Sequence, residues 1–351
     1  MSDNYPYFYL ITFFIPLFIS LILTPAFRAL ALRYGRIDRP NEIKTHKTPT
    51  PLFGGAAIFA AFTATLLLLR LFTSFPTGTL HDLRTMLCGG TVIFLLGLAD
   101  DIKKPKGLGV GTRFIIHFAV AFAVIYAGFR IQFLKPEHIA VIISALWIVG
   151  ISNALNIIDI MDGLSSGQVV TASIGFLLIE LPSESIYANF AAAALAGATL
   201  GFLPYNMSEK RKIFMGDSGS LFCGFILALM ALGCHYSKNN PLGVYAPVFI
   251  LAVPIIDTLF VSFLRMRRGM SPFRGSKDHF ALRLEMTGMP RHRIVAAVTL
   301  FTLFMSVCAW LLTKLTLWPA TSLAAVLIAV ILFILRKLAA IDINNPPAPN
   351  R

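Results

Sequence analysis

Eleven apolar stretches of roughly 14 to 28 residues recur along this chain with almost no charge in their interiors, a pattern that a water-soluble core cannot absorb. In hydrocarbon only helices and closed barrels satisfy their own backbone, and stretches this long without polar alternation select helices. They run over 5–32, 54–72, 83–99, 114–129, 138–155, 168–181, 186–203, 220–236, 244–264, 294–312 and 318–335. The predicted fold class is therefore an all-α polytopic membrane protein of about eleven transmembrane helices, with residues 1–338 as a single transmembrane domain. The remainder, 339–351, contains Asn344-Asn-Pro-Pro-Ala-Pro and reads as a disordered cytoplasmic tail.

Composition agrees, with 56% hydrophobic and 13% charged residues. The first stretch has no basic start and no small-residue cleavage site, so it reads as a retained helix rather than a removed signal peptide. A formal net charge of +13 would suit nucleic acid, but the basic residues fall between apolar stretches rather than along one stripe, which excludes that partner. Cys88, Cys223, Cys234 and Cys308 each lie inside an apolar run without paired spacing and read as small core residues, not as disulfides or zinc ligands.

Charge also orients the chain. With the N-terminus outside, 24 of the 30 Lys and Arg lie in cytoplasmic loops or ends and 6 lie outside. The same orientation, with the C-terminus cytoplasmic, gathers the unusual polar residues on one boundary. Asp100 and Asp101 close the third span, Asn156, Asp159 and Asp162 close the fifth, Asp217 opens the eighth, and Asp257 lies about two turns inside the ninth.

Asn156, Asp159 and Asp162 recur every third residue, so they share roughly one helical face among strongly apolar neighbours. An amide and two carboxylates there are costly without a partner, and a hard cation such as Mg²⁺ suits them. Each acid alone could equally be a solvated helix cap. The adjacent pair Asp100-Asp101 resists that reading, because like charges side by side are more easily tolerated near a cation.

Groups suited to phosphate stand beside them. Lys103, Lys104 and Lys106 lead through Gly107, Gly109 and Gly111 to Arg113 at the start of the fourth helix. The three lysines are read equally well as cytoplasmic-side decoration, which leaves Arg113 as the residue to single out. The first cytoplasmic loop, rich in Pro and Gly, carries Lys44 and His46, which face either an anionic ligand or lipid headgroups. In Phe214-Met-Gly-Asp-Ser-Gly-Ser-Leu221, glycines flank Asp217-Ser218 and permit a tight turn that brings carboxylate and backbone to a metal-bound phosphate. Alternatively Asp217 is an N-cap.

The ordered set of Pro40-Asn41 with Lys44, His46 and Gly54-Gly55, then Asp100-Asp101, then Asn153-x-x-Asn156-x-x-Asp159-x-x-Asp162-Gly163, then Tyr205-Asn206 and the segment to Leu221, resembles the polyprenyl-phosphate N-acetylhexosamine-1-phosphate transferases over most of the chain. That superfamily includes the phospho-N-acetylmuramoyl-pentapeptide transferase of peptidoglycan synthesis. Pro254-x-x-Asp257, Arg265 and Gly269-x-Ser-Pro-Phe273 are more similar to the branch that uses UDP-N-acetylglucosamine.

The resemblance implies that a membrane polyprenyl phosphate, undecaprenyl phosphate in bacteria, attacks the β-phosphorus of a UDP-N-acetylhexosamine and releases UMP. It implies Mg²⁺, with Mn²⁺ as an allowed substitute, held by Asn156 and Asp217. Asp100, Asp101 and Asp159 become the candidate catalytic carboxylates, the first two serving the nucleophile. Lys44, His46, Arg113, Asp162, Asn206, Arg265, His279 and Arg283 become candidate substrate contacts, Asp162 near uracil and Arg113 on phosphate. Direct attack ranks above a covalent intermediate on Asp217, because Asp217 is better used on the metal. The implied setting is a bacterial inner membrane with the site on its cytoplasmic face, and a homodimer is common among relatives.

One departure bears on the donor. Where relatives carry a His-rich run, this chain reads Lys277-Asp278-His279-Phe280-Ala281-Leu282-Arg283, so His279 stands alone and Arg283 becomes a candidate replacement contact for phosphate. The rival class is a proton- or ion-coupled transporter, whose carboxylates belong near the bilayer midplane rather than at one boundary. The motifs place the expected groove between the third, fourth, fifth, eighth and ninth spans, partly closed by 265–293.

Overall fold

A computed structural model describes residues 5–40, 48–72, 77–181, 186–233, 236–237, 239–271 and 277–341. In chain order it contains α1 (Tyr5–Arg33), a two-stranded antiparallel ribbon of β1 (Ile37–Asp38) and β2 (Thr50–Pro51), then α2 (Gly54–Phe72), α3 (Thr77–Lys103), α4 (Val110–Tyr126) and α5 (Glu137–Ile157). These are followed by α6 (Leu164–Glu180), α7 (Ile186–Asn206), α8 (Gly216–Gly233), a 3₁₀ turn (Pro241–Tyr245), α9 (Ala246–Ile250), α10 (Ala252–Arg267), α11 (Phe280–Met286), α12 (Arg291–Lys314) and α13 (Leu317–Ala339). The protein is an all-α polytopic membrane protein.

Among the described residues, eight helices are long and apolar enough to cross a membrane, and a bent pair makes nine. The remaining two expected spans correspond to α4 and α6, apolar but only 17 residues each. The stretch 244–264, expected as one span, is broken instead: Pro241–Ile250 and Ala252–Arg267 meet at 71°. Pro254 supplies a physical reason, since it cannot donate to the carbonyl four residues earlier and its ring crowds that carbonyl. Pro16 and Pro25 interrupt α1 without ending it.

α8 is the axis of the fold. It is nearly buried throughout, and α2, α3, α5, α6 and α7 all pack against it. Lipid tails are as apolar as Leu, so these helices associate through close main-chain approach rather than through transfer out of water. A Cβ on Gly97 of α3 would lie 2.4 Å from the Asp217 carbonyl oxygen, and one on Gly55 of α2 would lie 2.2 Å from the Gly219 nitrogen. Gly224 sits against the Ser152 main chain of α5 in the same way, with 2.7 Å to its Cα. Phe222 of α8 then fills the space between α2 and α3, edge-on to Phe59 and Phe62, while Phe59 stacks on Phe94 at 4.1 Å. On the far side of α7, Gly197 and Gly201, one turn apart, face the Phe13 and Leu17 carbonyls of α1.

Cross-links between distant loops show which helix ends share a side. Arg36 donates to the Ile102 carbonyl (3.0 Å) and Arg28 to that of Lys212 (3.2 Å), joining the C-terminal ends of α1 and α3 to the segment before α8. The Phe214 nitrogen donates to the Pro51 carbonyl (2.9 Å), adding β2 to the group.

One cysteine expectation changes. Cys223 and Cys308 are buried, whereas Cys88 is exposed on α3, and Cys234 lies outside the described residues. α13 continues through Ala339, and the Ile341 carbonyl is held by Arg283 (2.7 Å). Residues 342–351 lie outside the described residues.

Candidate functional site

The end of α3, the start of α4, the end of α5 and the start of α8 meet at one charged cluster. Asp101 is fully buried, and its two oxygens accept the backbone N–H groups of Asp217 (3.0 Å) and Ser218 (3.0 Å). It therefore caps α8 from another helix, satisfying donors that a helix start leaves open. Gly216 makes this possible: its φ of +74° suits glycine, and a Cβ there would lie 2.6 Å from an Asp101 oxygen.

The Asp217 side chain is held from three sides. Its Oδ1 accepts from Asn156 Nδ2 (3.1 Å) and from Lys104 Nζ (3.3 Å), and its Oδ2 lies 3.7 Å from Arg113. Lys104 also binds Asp101 Oδ1 at 2.8 Å. Burial alone would lower the Lys104 pKa, but the charges of Asp217 and Asp101 outweigh it and raise it above that of an ordinary lysine. Asp100 accepts the Leu108 N–H at 2.7 Å, lies 3.5 Å from Arg113, and its carboxyl group also meets that of Asp217. Arg113, half-turned to solvent, thus touches Asp100, Asp217 and the Asn156 amide oxygen (3.5 Å) together.

The loop after α5 brings two more acids. Burial pushes the Asp159 carboxyl up to about 7, and the neighbouring Asp217 charge adds to the shift. Asp162 pairs with Lys212, whose ammonium also lies over the Phe214 ring. Asn206 is buried with both ends of its amide used on backbone, accepting from the Gly163 N–H (2.7 Å) and donating to the Ile213 carbonyl (3.1 Å). It shapes the two loops that carry Asp162 and Asp217 rather than facing outward.

A second polar group surrounds the short helix α11. His279 Nδ1 and Asp257 Oδ2 are 2.7 Å apart, and Asp257 Oδ1 accepts the Phe280 N–H at 3.0 Å, so a carboxylate on α10 fixes both the ring and the start of α11. Asp257 also borders an apolar cavity of about 240 Å³ between α10, α11, α12 and α13. Arg265 is buried within the electrostatic reach of Asp278 and Asp257.

Arg283, expected as a replacement phosphate contact, is engaged within the protein. It is only 1% exposed, and it donates to Asp278 and to the Leu338 (3.1 Å) and Ile341 (2.7 Å) carbonyls. Leu338 lies in the last turn of α13 and Ile341 two residues beyond its end, so Arg283 ties α11 to that helix end. Lys44 and His46 lie outside the described residues.

The structure thus joins Asp100, Asp101, Arg113, Asn156 and Asp217, places Asp159 and Asp162 beside them, and gathers Arg265, His279 and Arg283 around α11. Sequence reasoning missed Lys104, treated there as one of three decorating lysines, and Ser220, whose hydroxyl accepts from Asn156 at 2.9 Å. Lys104 stands three residues after Asp101, and that spacing was the available signal.

Among the described residues, no three acidic, His or Cys side chains converge as a ready metal cage. The donor set suits Mg²⁺ nonetheless: the Asp217 carboxylate and the Asn156 amide are hard oxygen ligands, few in number. Mg²⁺ keeps several waters and takes phosphate oxygens rather than relying on an all-protein cage.

Comparison with known proteins places these elements in context. The family model described as "Glycosyl transferase family 4" matches residues 83–235, which hold α3 to α8 and the charged cluster. The chain is 29% identical to a Bacillus subtilis protein named "Probable undecaprenyl-phosphate N-acetylglucosaminyl 1-phosphate transferase", over 91% of this chain and 88% of that protein. It is 30% identical to the decaprenyl-phosphate N-acetylglucosaminephosphotransferase of Mycobacterium tuberculosis, over 81% and 77%. It is 28% identical to the undecaprenyl-phosphate alpha-N-acetylglucosaminyl 1-phosphate transferase of Escherichia coli, over 81% and 78%.

Proposed function

This chain belongs to glycosyl transferase family 4, and on that footing we propose that it transfers N-acetylglucosamine-1-phosphate from UDP-N-acetylglucosamine to a membrane polyprenyl phosphate, giving polyprenyl-diphospho-N-acetylglucosamine and UMP. The observation that carries the reading is the meeting of Asp100, Asp217, Asn156 and Arg113 where four apolar helices end. A lipid phosphate confined to the bilayer and a nucleotide confined to water can share only such a boundary.

In the reaction a phosphate oxygen of the lipid forms a bond to the β-phosphorus of the donor, the bond to the UMP oxygen breaks, and UMP leaves with the electron pair. Arg113 offers the charge and the planar donors that hold a phosphate bidentately. Asp100, next to Arg113, accepts the last proton of the lipid phosphate or orients that oxygen. Asp101 acts through α8, fixing the backbone that aims Asp217. Asn156 and Asp217 would hold Mg²⁺, which when bound offsets charge on the transferring phosphoryl group. Direct attack is preferred to a covalent Asp217 intermediate, because a carboxylate that ligates the metal is a poor nucleophile.

The excess of Lys and Arg in the loops on this side supports a reading in which the boundary faces the cytoplasm of a bacterial inner membrane, the N-terminus is outside, and the short apolar helices α4 and α6 complete eleven spans. A proton- or ion-coupled transporter finds no support: the relatives are transferases, and the carboxylates cluster at helix ends.

The test is UMP release by purified protein with undecaprenyl phosphate, Mg²⁺ and a panel of UDP-sugars. Release with UDP-N-acetylglucosamine, abolished by EDTA and by Asp217→Ala, is expected. Release with a different donor alone would overturn the sugar assignment, and no release with any donor would overturn the activity.

A further inference from the structure

The Asp217 carboxylate that the proposed function gives to a divalent ion is already committed within the protein. Its Oδ1 accepts both the Lys104 ammonium at 3.3 Å and the Asn156 amide at 3.1 Å. The orientation of that amide follows from its neighbours. Ser220 donates its hydroxyl to the Gly216 carbonyl (3.0 Å), so it can only accept from Asn156, which must present nitrogen to both Ser220 and Asp217. The Asn156 oxygen is turned to Arg113 instead. The cluster is therefore closed on itself, with a lysine standing where a cation is needed.

Lys104 is placed to leave. It begins the loop between α3 and α4, its side chain is 25% exposed, and its shorter contact is to Asp101 (2.8 Å) rather than to Asp217. Asp101, by contrast, is fully enclosed and fastened to α8. A small rotation would release Asp217 while keeping the Asp101 contact as a pivot.

We propose that Lys104 is a tethered counter-ion for the metal-ligating pair. It neutralises Asp217 while the site is free of metal, and it yields that oxygen when a divalent ion arrives, turning its ammonium toward the nucleotide diphosphate. A bare ion must evict a cation and loses affinity for it, whereas an ion arriving with a diphosphate brings the ammonium a new partner. Lys104 thus makes metal binding depend on donor binding. This inference rests on the assignment of Asn156 and Asp217 as metal ligands.

The test measures Mn²⁺ binding to the full-length protein in detergent, without nucleotide, from the electron paramagnetic resonance signal of free Mn²⁺. Lys104→Gln is expected to tighten binding about tenfold, the scale of removing one directly competing charge. Lys104→Arg, which keeps a cation, should remain near wild type. Lys106→Gln removes an exposed lysine of the same loop and controls for general electrostatics. In EDTA, Lys104→Gln should also melt below wild type and recover on adding Mn²⁺. Misfolding cannot produce tighter binding, so that sign separates the role from structural damage. Unchanged or weaker binding in Lys104→Gln, or equal tightening in Lys106→Gln, would overturn the role of Lys104 alone. Absence of saturable Mn²⁺ binding in wild type and Lys104→Gln alike would overturn the metal assignment beneath it.

Discussion

Asp101, at the end of α3, accepts the main-chain N–H of Asp217, at the start of α8, at 3.0 Å, so the aspartate offered to the metal is aimed by a second aspartate 116 residues earlier. The acidic pair of α3 therefore divides its work. Asp101 faces inward to the helix start, and Asp100 faces Arg113.

Asp101→Ala leaves two helix-start donors without their acceptor and takes from Lys104 the shorter of its two carboxylate contacts. Loss of about 2 kcal/mol in unfolding free energy is expected, from buried donors left unpaired. Thermal unfolding in detergent checks it, and UMP release should fall along with stability. Asp100→Ala should reduce UMP release with a smaller change in melting temperature.

Gly97→Ala forces a Cβ to within 2.4 Å of the Asp217 carbonyl, where no side-chain rotation can relieve the contact. Displacement of the start of α8 at a cost of about 1–3 kcal/mol is expected, as in other overpacked sites. Gly150→Ala on α5, where a Cβ meets nothing within 4 Å, is the matched control. Melting temperature and UMP release measured on both variants should separate them.

Arg283→Met should behave as the loss of a structural tie. Breaking a buried charged contact leaves Asp278 partly unpaired and frees the end of α13, costing about 3 kcal/mol. Thermal melting should register this directly. A large rise in donor KM with unchanged melting temperature would instead return Arg283 to phosphate recognition.

Asp159 gives a pH signature. Its pKa is about 7 in the folded protein against about 4 for a free carboxyl group, so between those values the folded state keeps a proton that the unfolded state has lost. Its contribution to stability is complete below pH 4 and is lost as pH rises through 7. Asp159→Asn, compared with wild type in EDTA, should show equal melting temperature near pH 4 and a few degrees of advantage at pH 8. An advantage independent of pH would show that charge is not its source.

The helices and their order were legible in the sequence because apolar length is a local property. The bend at Leu251 was legible in principle from Pro254, but Pro16 and Pro25 lie inside α1 without ending it, so composition alone does not decide which proline breaks a helix. The acidic members of the site were visible because carboxylates among isoleucines need a reason. Lys104 was hidden for the opposite reason: a lysine in a cytoplasmic loop needs none, and only the fold shows that its ammonium turns inward to a residue 113 positions away. Asn206 and Arg283 stood out by residue type, yet the structure spends Asn206 on a backbone N–H and a carbonyl and Arg283 on Asp278 and carbonyls at the end of α13, partners that a sequence pattern does not display.

The glycine contacts around α8 also bear on how such a protein can diverge. Where two main chains touch, as at Gly55 with Gly219 and Gly97 with Asp217, there is no neighbouring side chain that a second mutation could shorten to make room. A change at either surface has no compensating partner, so these positions cannot drift in pairs as ordinary core residues do. The largely exposed α13 is free of that constraint over most of its length. Descendants of one ancestral sequence would thus keep the start of α8 nearly frozen while the periphery is rewritten, holding the chemistry fixed as the membrane-facing surface adapts to different lipids.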